Sequence, residues 1–326
     1  MTPLDALADD LLEILVVPSF TRVGYRIRRR LFDWDPVDTW SMAGRTVVIT
    51  GPTSGLGREV AGSLARMGAD LVLVGRDEAK LAGTAEALRA GGAGRVDTVV
   101  ADMASLASVR AAGDRILALT SRIDVVIDNA GGMFPTREVS EDGMERSFAT
   151  MVAGPFVLLG RILPLLQATP GARIVAVTSG GMYTQRLPLD DLGFEQGTYD
   201  GPRAYARAKR AQVALLREWA RRLAAVGSDV RANAMHPGWA DTPGLEAALP
   251  GFRSVVGGQL RTAAEGSDTM LWLAVAPDAT MTGRLFLDRR PRPFDRLPST
   301  RLSAADRRAL WDRLVGMTGE PDPLPA

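Results

Sequence analysis

The chain has 326 residues, 46% of them hydrophobic and 24% charged, which is the composition of an ordinary globular protein. Its formal net charge of +1 gives no long-range field that would attract nucleic acid. The complete lack of cysteine excludes disulfides and thiol chemistry, and it agrees with a reducing cytoplasm. Because His236 is the only histidine, we expect no multi-histidine metal site. We also expect no membrane span and no signal peptide.

The first 42 residues precede the first strand signal. Leucines at helical spacing between Leu4 and Leu15, with acidic residues between them, predict a short amphipathic helix that ends near Pro18. A basic stretch with interleaved apolar residues follows at positions 24–32. This stretch either lies on an anionic membrane or contacts a partner, or it packs its apolar side on the domain and leaves its arginines in water.

A glycine-rich loop follows a buried strand predicted at residues 45–50 and leads into a helix. Glycines in such a loop allow a tight turn and let the backbone approach a pyrophosphate. The N-terminus of the helix adds unpaired N–H groups and the positive end of its dipole. The loop therefore predicts a dinucleotide site. Its candidate cofactor contacts are Gly51, Thr53, Ser54, Gly55, Leu56, Gly57 and Arg58.

The end of the second predicted strand, at residues 70–74, favours NADP(H). Enzymes that use NAD(H) usually place an acidic residue there to bind the ribose diol. This chain instead has Gly75 and Arg76, and Arg58 adds a second guanidinium that could pair with a 2′-phosphate. The alternative is that both arginines are ordinary surface charges. We expect Asp77 to cap the following helix rather than to bind ribose.

Tyr205 and Lys209 are four residues apart on a predicted helix, so they lie on one face of it. A carbonyl that accepts a hydride must also accept a proton, which a Tyr hydroxyl can donate. A nearby ammonium would lower the pKa of that hydroxyl toward neutral pH and could also hold ribose hydroxyls. The alternative is a surface Lys and a half-buried Tyr on an amphipathic helix.

The combination of T-G-x-x-x-G-x-G at residues 50–57 with Y-x-x-x-K at residues 205–209 resembles the short-chain dehydrogenase/reductase family. The resemblance covers about residues 44–290. It implies an α/β fold, a single doubly wound Rossmann-like domain with a parallel central sheet. It also implies reversible hydride transfer between NADP(H) and a carbonyl or alcohol, and assembly as a homodimer or homotetramer.

We therefore expect three segments. Residues 1–42 form a helical and basic extension, residues 43–290 form the NADP(H)-binding domain, and residues 291–326 form a C-terminal helix followed by a frayed tail. We expect the protein to be cytoplasmic or peripheral to a membrane. Apolar residues between positions 243 and 257 predict a lid over a lipophilic substrate.

The resemblance assigns further roles at the ends of later strands. Ser179 would orient the substrate oxygen, with Thr178 as its competitor and a turn-capping hydroxyl as the alternative. Asp102 would bind the adenine, or would only cap the next helix. The remaining implied cofactor contacts are Met103, Asn129, Ala130, Gly131, Pro237, Gly238 and Thr242. We assign His236 a structural role.

Two positions depart from the family pattern. Asp128 replaces the first Asn of N-N-A-G, and Met151 replaces the Asn of F-x-x-N-x-x-G-x-F within a helix predicted at residues 142–167. In the family this Asn holds a water that extends the proton relay behind the Lys, and a thioether is at best a weak acceptor. Two hypotheses follow: an enzyme with a different proton path, or an NADP(H)-binding scaffold with weak or no turnover.

Three further segments resemble one subgroup of the family, whose N-terminal extension also fits this chain. They lie at residues 179–182, 236–244 and 268–273.

Overall fold

A central sheet of eight strands organises the residues that the computed structural model describes, which are 3–242, 251 and 257–325. The strand order is β3-β2-β1-β4-β5-β6-β7-β8, and every neighbouring pair is parallel except β7 with β8. The chain order reverses between β1 and β4, as in a doubly wound fold. This topology confirms the predicted Rossmann-like fold class. The strands are β1 Thr46–Thr50, β2 Asp70–Gly75, β3 Val96–Val100, β4 Val125–Asp128, β5 Arg173–Val177, β6 Arg231–Met235, β7 Leu285–Leu287 and β8 Arg290–Arg292.

Helices cover both faces of the sheet, so each strand is buried on two sides. In β1, Val48 faces one apolar core, whereas Val47 and Ile49 face the other. This double burial explains the continuous apolar runs in the sequence. The helices are α1 Pro3–Ile14, α2 Val16–Phe20, α3 Arg22–Leu31, α4 Gly55–Arg66, α5 Glu78–Ala90, α6 Leu106–Leu119, α7 Arg146–Phe148, α8 Gly154–Ala168, α9 Gly201–Ala225, α10 Ala263–Val275 and α11 Ala304–Thr318.

The helix predicted at 142–167 begins later than the sequence pattern suggested. Glu145 stops it from starting earlier, because its carboxylate accepts the N–H groups of Ser147 and Phe148 at the first turn. A π-helical turn at Ala149–Ala153 joins α7 to α8 and contains Met151. Such turns are rare in proteins overall, and those that occur are often found at functional sites.

The segment Arg146–Ala168 is long and apolar enough to cross a bilayer, so our expectation that no stretch reaches that length was wrong. Most of it is nevertheless buried inside the protein, where it supplies Phe156, Ile162 and Leu166 to the core. The core helix of a soluble protein has the same length and composition.

The N-terminal extension packs against the domain through buried charged side chains of α1 and α3. The acidic side of α1 faces inward, where Asp9 binds Arg28 and Arg292 at 2.7 and 2.9 Å. Leu4, Leu7 and Leu11 face outward, with Leu4 76% exposed, whereas Leu12 is buried. The alternative in which the stretch at positions 24–32 leaves its arginines in water is wrong for Arg28, which is fully buried.

The C-terminal segment is more ordered than expected. α11 packs on the domain, with Trp311 against Phe156 and Trp219 at ring-centroid distances of 5.0 and 4.7 Å. The following tail is fixed by Asp322, which accepts the Trp311 indole N–H at 3.0 Å, and by the buried Leu324. The expectation of a frayed tail was wrong, because Asp322 and Leu324 anchor the tail from within its Pro-rich stretch.

Candidate functional site

The glycine-rich loop forms a cradle at the carboxyl end of β1. Gly51 and Gly55 have φ angles of +67° and +52°, a region that L side chains rarely adopt. A Cβ on Gly57 would lie 2.2 Å from the Gly51 carbonyl oxygen, so only glycine fits there. Ser54 precedes α4 without capping it through its side chain, and this leaves the first N–H groups of the helix to an anion. The cradle therefore fits the pyrophosphate of a dinucleotide. The other predicted loop residues, Thr53, Leu56 and Arg58, lie on the same turn.

Two exposed arginines lie next to the cradle. Arg76 follows the end of β2 and Arg58 lies in the first turn of α4, and neither forms an ion pair with a residue that the structure describes. Asp77 caps α5 as predicted, because its carboxylate accepts the Lys80 N–H at 3.0 Å. The local charge available to a ligand at this strand end is therefore positive.

Asn129 joins the ends of β1 and β4. Its amide Nδ2 donates to the carbonyl oxygens of Thr50 and Gly51, each at 3.0 Å. The Thr50 hydroxyl in turn accepts the backbone N–H groups of Asn129 and Ala130 at 3.0 and 2.9 Å. These contacts hold the glycine-rich loop against β4, and Gly131 follows directly.

Asp102 and Met103 follow the end of β3. One Asp102 oxygen accepts the Ala104 N–H at 2.9 Å, which shapes the turn, whereas Ser105 is the residue that caps α6. The predicted alternative, an Asp102 that caps the helix directly, is therefore wrong. Met103 is buried, and its carbonyl oxygen would lie 2.2 Å from a Cβ on Gly154 of α8.

Ser179, Tyr205 and Lys209 come together where β5 ends and α9 begins. Burial raises the pKa of the Tyr205 hydroxyl above its ordinary value, and the hydrogen bond with Ser179 opposes this shift. The Ser179 oxygen also accepts the Gly181 N–H at 3.2 Å, so it caps the turn as well as facing Tyr205. The competitor Thr178 points into the core and donates to the Lys209 carbonyl oxygen at 3.0 Å.

The ammonium of Lys209 lies 5.8 Å from the centre of the Tyr205 ring. It donates to the Val177 carbonyl oxygen at 2.7 Å and to Gln212 Oε1 at 3.2 Å. Burial lowers the pKa of Lys209 to about 8, and the charge of Asp128 opposes this shift. Burial leaves the pKa of Tyr205 raised rather than lowered as predicted, and the Lys209 ammonium donates to Val177 and Gln212.

A buried polar chain leads away from Lys209. Gln212 accepts from Lys209 and donates through Nε2 to Asp128 Oδ2 at 2.7 Å. Burial raises the pKa of Asp128 to about 6, and its Oδ1 has no hydrogen-bond partner among the residues that the structure describes. Met151 lies beside this chain of polar groups. Its sulfur and Lys209 Nζ both approach Gly131, where an added Cβ would lie 3.0 Å from the sulfur and 3.5 Å from Nζ. Gln212 was not among the site residues predicted from the sequence. Its position three residues after Lys209, which places it on the same helix face, is the signal that could have found it.

The loop after β6 closes the site on the far side. Gly238 has a φ angle of +69°, and a Cβ there would lie 2.5 Å from the Arg261 guanidinium. The Thr242 side chain reaches the glycine-rich loop, 3.5 Å from the position of a Cβ on Gly55. Pro237 packs near Gly266 of α10. The predicted lid at 243–257 falls largely outside the described residues.

His236 lies inside the fold and not in the site. It is fully buried, its ring lies 4.7 Å from that of Phe20, and Nδ1 accepts the Gly238 N–H at 3.4 Å. Burial lowers its pKa well below the ordinary value. A neutral, packed imidazole fits the predicted structural role. The described residues also contain no group of acidic and histidine side chains that could hold a metal ion.

The fold and the site together define a class of protein: an α/β oxidoreductase with a nucleotide cradle at β1 and a Ser, Tyr and Lys at the ends of β5 and α9. Residues 45–250 match the family model described as short chain dehydrogenase. The chain belongs to the short-chain dehydrogenase/reductase family, whose members bind NAD(P).

Three similar proteins support this assignment. Dehydrogenase/reductase SDR family member 12 of Bos taurus is 37% identical over 290 residues, covering 88% of this chain and 89% of the bovine protein. This likeness confirms the predicted subgroup resemblance. The putative daunorubicin C-13 ketoreductase DnrU of Streptomyces sp. (strain C5) is 37% identical over 282 residues, 86% of this chain and 94% of that protein. A solved structure of an uncharacterised protein from Mycobacterium paratuberculosis has a TM-score of 0.71 at 31% identity, covering 88% of this chain and 97% of that one.

Proposed function

We propose that the protein transfers a hydride reversibly between NADP(H) and a carbonyl or alcohol substrate. The observation that carries this proposal is the convergence of Ser179, Tyr205 and Lys209 at the sheet edge that also holds the glycine-rich cradle. The cofactor, when bound, supplies or accepts the hydride. The cradle would hold its pyrophosphate, Arg58 and Arg76 its 2′-phosphate, and Lys209 its nicotinamide ribose.

The proton chemistry belongs to the chain itself. In the reductive direction Ser179 donates a hydrogen bond to the substrate oxygen, and Tyr205 donates the proton as negative charge develops there. Burial raises the pKa of Tyr205, so the hydroxyl is protonated at neutral pH and ready to act as an acid. Gln212 and Asp128 orient the Lys209 ammonium behind it, on the side where Met151 replaces the family's Asn.

The direct test replaces Tyr205 with Phe. Removing the proton donor should reduce kcat by at least about 100-fold while the affinity for NADPH stays within about twofold. Tyr199→Phe is the matched control: its hydroxyl donates to Glu145 at 2.9 Å, outside the proposed site, so turnover should be retained. Normal turnover in Tyr205→Phe would contradict the mechanism.

The second candidate function is an NADP(H)-binding scaffold with weak or no turnover. The buried thioether of Met151 beside Lys209 favours it, because it excludes the water that an Asn would hold. Met151→Asn separates the two functions. A large rise in kcat would show that the natural protein is impaired as an enzyme, whereas unchanged or lower turnover would support the proton path through Tyr205 and Lys209 as it stands.

The substrate is proposed to be lipophilic, and a ketone is the first class to screen because a similar protein is named a ketoreductase. Assembly as a homodimer or homotetramer is also proposed. Trp311 of α11 packs on Trp219 of α9, so assembly through the family's α9 surface would have to accommodate α11. The mass in solution, measured by light scattering, tests this point.

A further inference from the structure

The outward side of α1 carries an apolar stripe. With 3.6 residues per turn, the four members within α1 fall within about one third of the helix circumference, and Leu15 directly follows the end of the helix. Each exposes between 56% and 76% of its surface, although large apolar side chains are normally buried. The members of this N-terminal apolar face are Leu4, Leu7, Leu11, Ile14 and Leu15.

Buried ion pairs hold the stripe outward. Asp9 on the opposite side of α1 pairs with Arg28 and Arg292, and Glu13 pairs with Arg28 at 2.9 Å and also with Arg296. Arg28 is fully buried and makes a further ion pair with Asp288 at 2.7 Å. Rotating α1 to bury its leucines would separate these charges inside the protein, which is strongly unfavourable.

The neighbouring helix α3 adds positive charge. Val23 and Ile27 are each 40% exposed, and the exposed Arg26 and Arg30 lie on the same side of α3 at helical spacing. Arg29 is exposed one position away. Apolar side chains bordered by arginines are typical of helices that lie in the interface of an anionic membrane.

We propose that the N-terminal apolar face and the basic side of α3 dock on an anionic lipid surface. A second copy of the chain fits this surface less well, because pairing two such faces would bring their exposed arginines together. The helix that follows this face, α2, reaches the candidate site: the Phe20 carbonyl oxygen at its end accepts the Trp239 N–H at 2.8 Å, and the Phe20 ring packs on Gly180. The docking does not depend on the proposed reaction.

Vesicle sedimentation of the full chain tests the docking without any need for turnover. The probe is phosphatidylcholine vesicles with and without phosphatidylserine. Wild type should bind the anionic vesicles, and added salt should weaken this binding. Leu7→Ser with Leu11→Ser should lower the partition coefficient by at least about tenfold. Arg29→Gln with Arg30→Gln should weaken binding and reduce its dependence on salt.

The matched control is Leu117→Ser with Val226→Ser, which are 39% and 52% exposed but lie on α6 and after the end of α9. This variant should bind vesicles like wild type. The proposal is overturned if wild type does not sediment with anionic vesicles, or if both Ser variants bind equally. It is also overturned if the Leu7 and Leu11 changes alter only the mass in solution, since a second copy would then be the occupant.

Discussion

Asp128 occupies a position where the family has Asn, and its carboxylate is buried with one oxygen unpaired. Its pKa is raised from 3.8 to about 6, so the folded state binds this proton more tightly than the unfolded state does. Protonation of Asp128 therefore stabilises the folded state fully below about pH 4, and this stabilisation is lost as the pH rises through about 6.

Asp128→Asn should therefore gain stability relative to wild type as the pH rises. The difference in the free energy of unfolding should change by roughly 2 kcal/mol between pH 4 and pH 6.5, in favour of the variant. Urea unfolding at both pH values measures it. A difference that does not change with pH would show that the Asp128 carboxyl is not perturbed by burial.

Gln212 is the residue that connects Asp128 to Lys209. In Gln212→Leu the ammonium loses a hydrogen bond and is no longer oriented by the chain to Asp128, so kcat should fall about tenfold. A merely structural role would leave the pH profile in place. If Gln212 acts through the pair, the profile should move, because the Gln212 hydrogen bond lowers the pKa of Asp128 and the Asp128 charge in turn raises that of Lys209. Gln185→Leu, at a half-buried position outside the chain from Lys209 to Asp128, is the control. An unmoved profile in Gln212→Leu would contradict the role.

At the level of elements, the N-terminal extension depends on a buried cluster of charges. Replacing Arg28 with Met leaves Asp9 and Asp288 buried with fewer partners, which should cost about 3–5 kcal/mol in urea unfolding. Arg30→Met removes an exposed guanidinium and should change stability by less than about 0.5 kcal/mol. Equal stability of the two variants would contradict the anchoring role of Arg28.

The same elements show how far sequence reasoning reaches. The strands carry apolar runs and the glycine-rich loop follows β1 directly, so local patterns predicted the fold class and the parallel strands β1 to β7. The antiparallel strand β8 was not predicted, and most candidate site residues at the strand ends came from the family resemblance rather than from local patterns. The orientation of α1 was not predicted, because periodicity identifies the apolar side of a helix but not what that side faces. The deciding partner, Asp288, lies 260 positions beyond Arg28. The order of the C-terminal tail was also not predicted, because it depends on a contact between residues distant in the sequence: Arg222 binds Asp322, 100 positions away.

At the scale of the whole molecule, the carboxyl edge of the sheet brings together the cradle, the two arginines, the Tyr205 group and the N-terminal extension. Parallel strands place all their carboxyl ends at one edge, which is why residues as distant as Gly51 and Lys209 meet there. At the same edge, Arg58 and Arg76 are exposed where the proposed 2′-phosphate would bind.

Calorimetric titration with NADPH and with NADH tests the central claim most directly. Each guanidinium–phosphate contact is worth about 1.5–3 kcal/mol, so wild type should prefer NADPH by at least about 100-fold. Most of that preference should disappear in a variant with Arg58→Ala and Arg76→Ala. Equal affinity for the two cofactors would contradict the NADP(H) assignment, and binding of neither would contradict the nucleotide site itself.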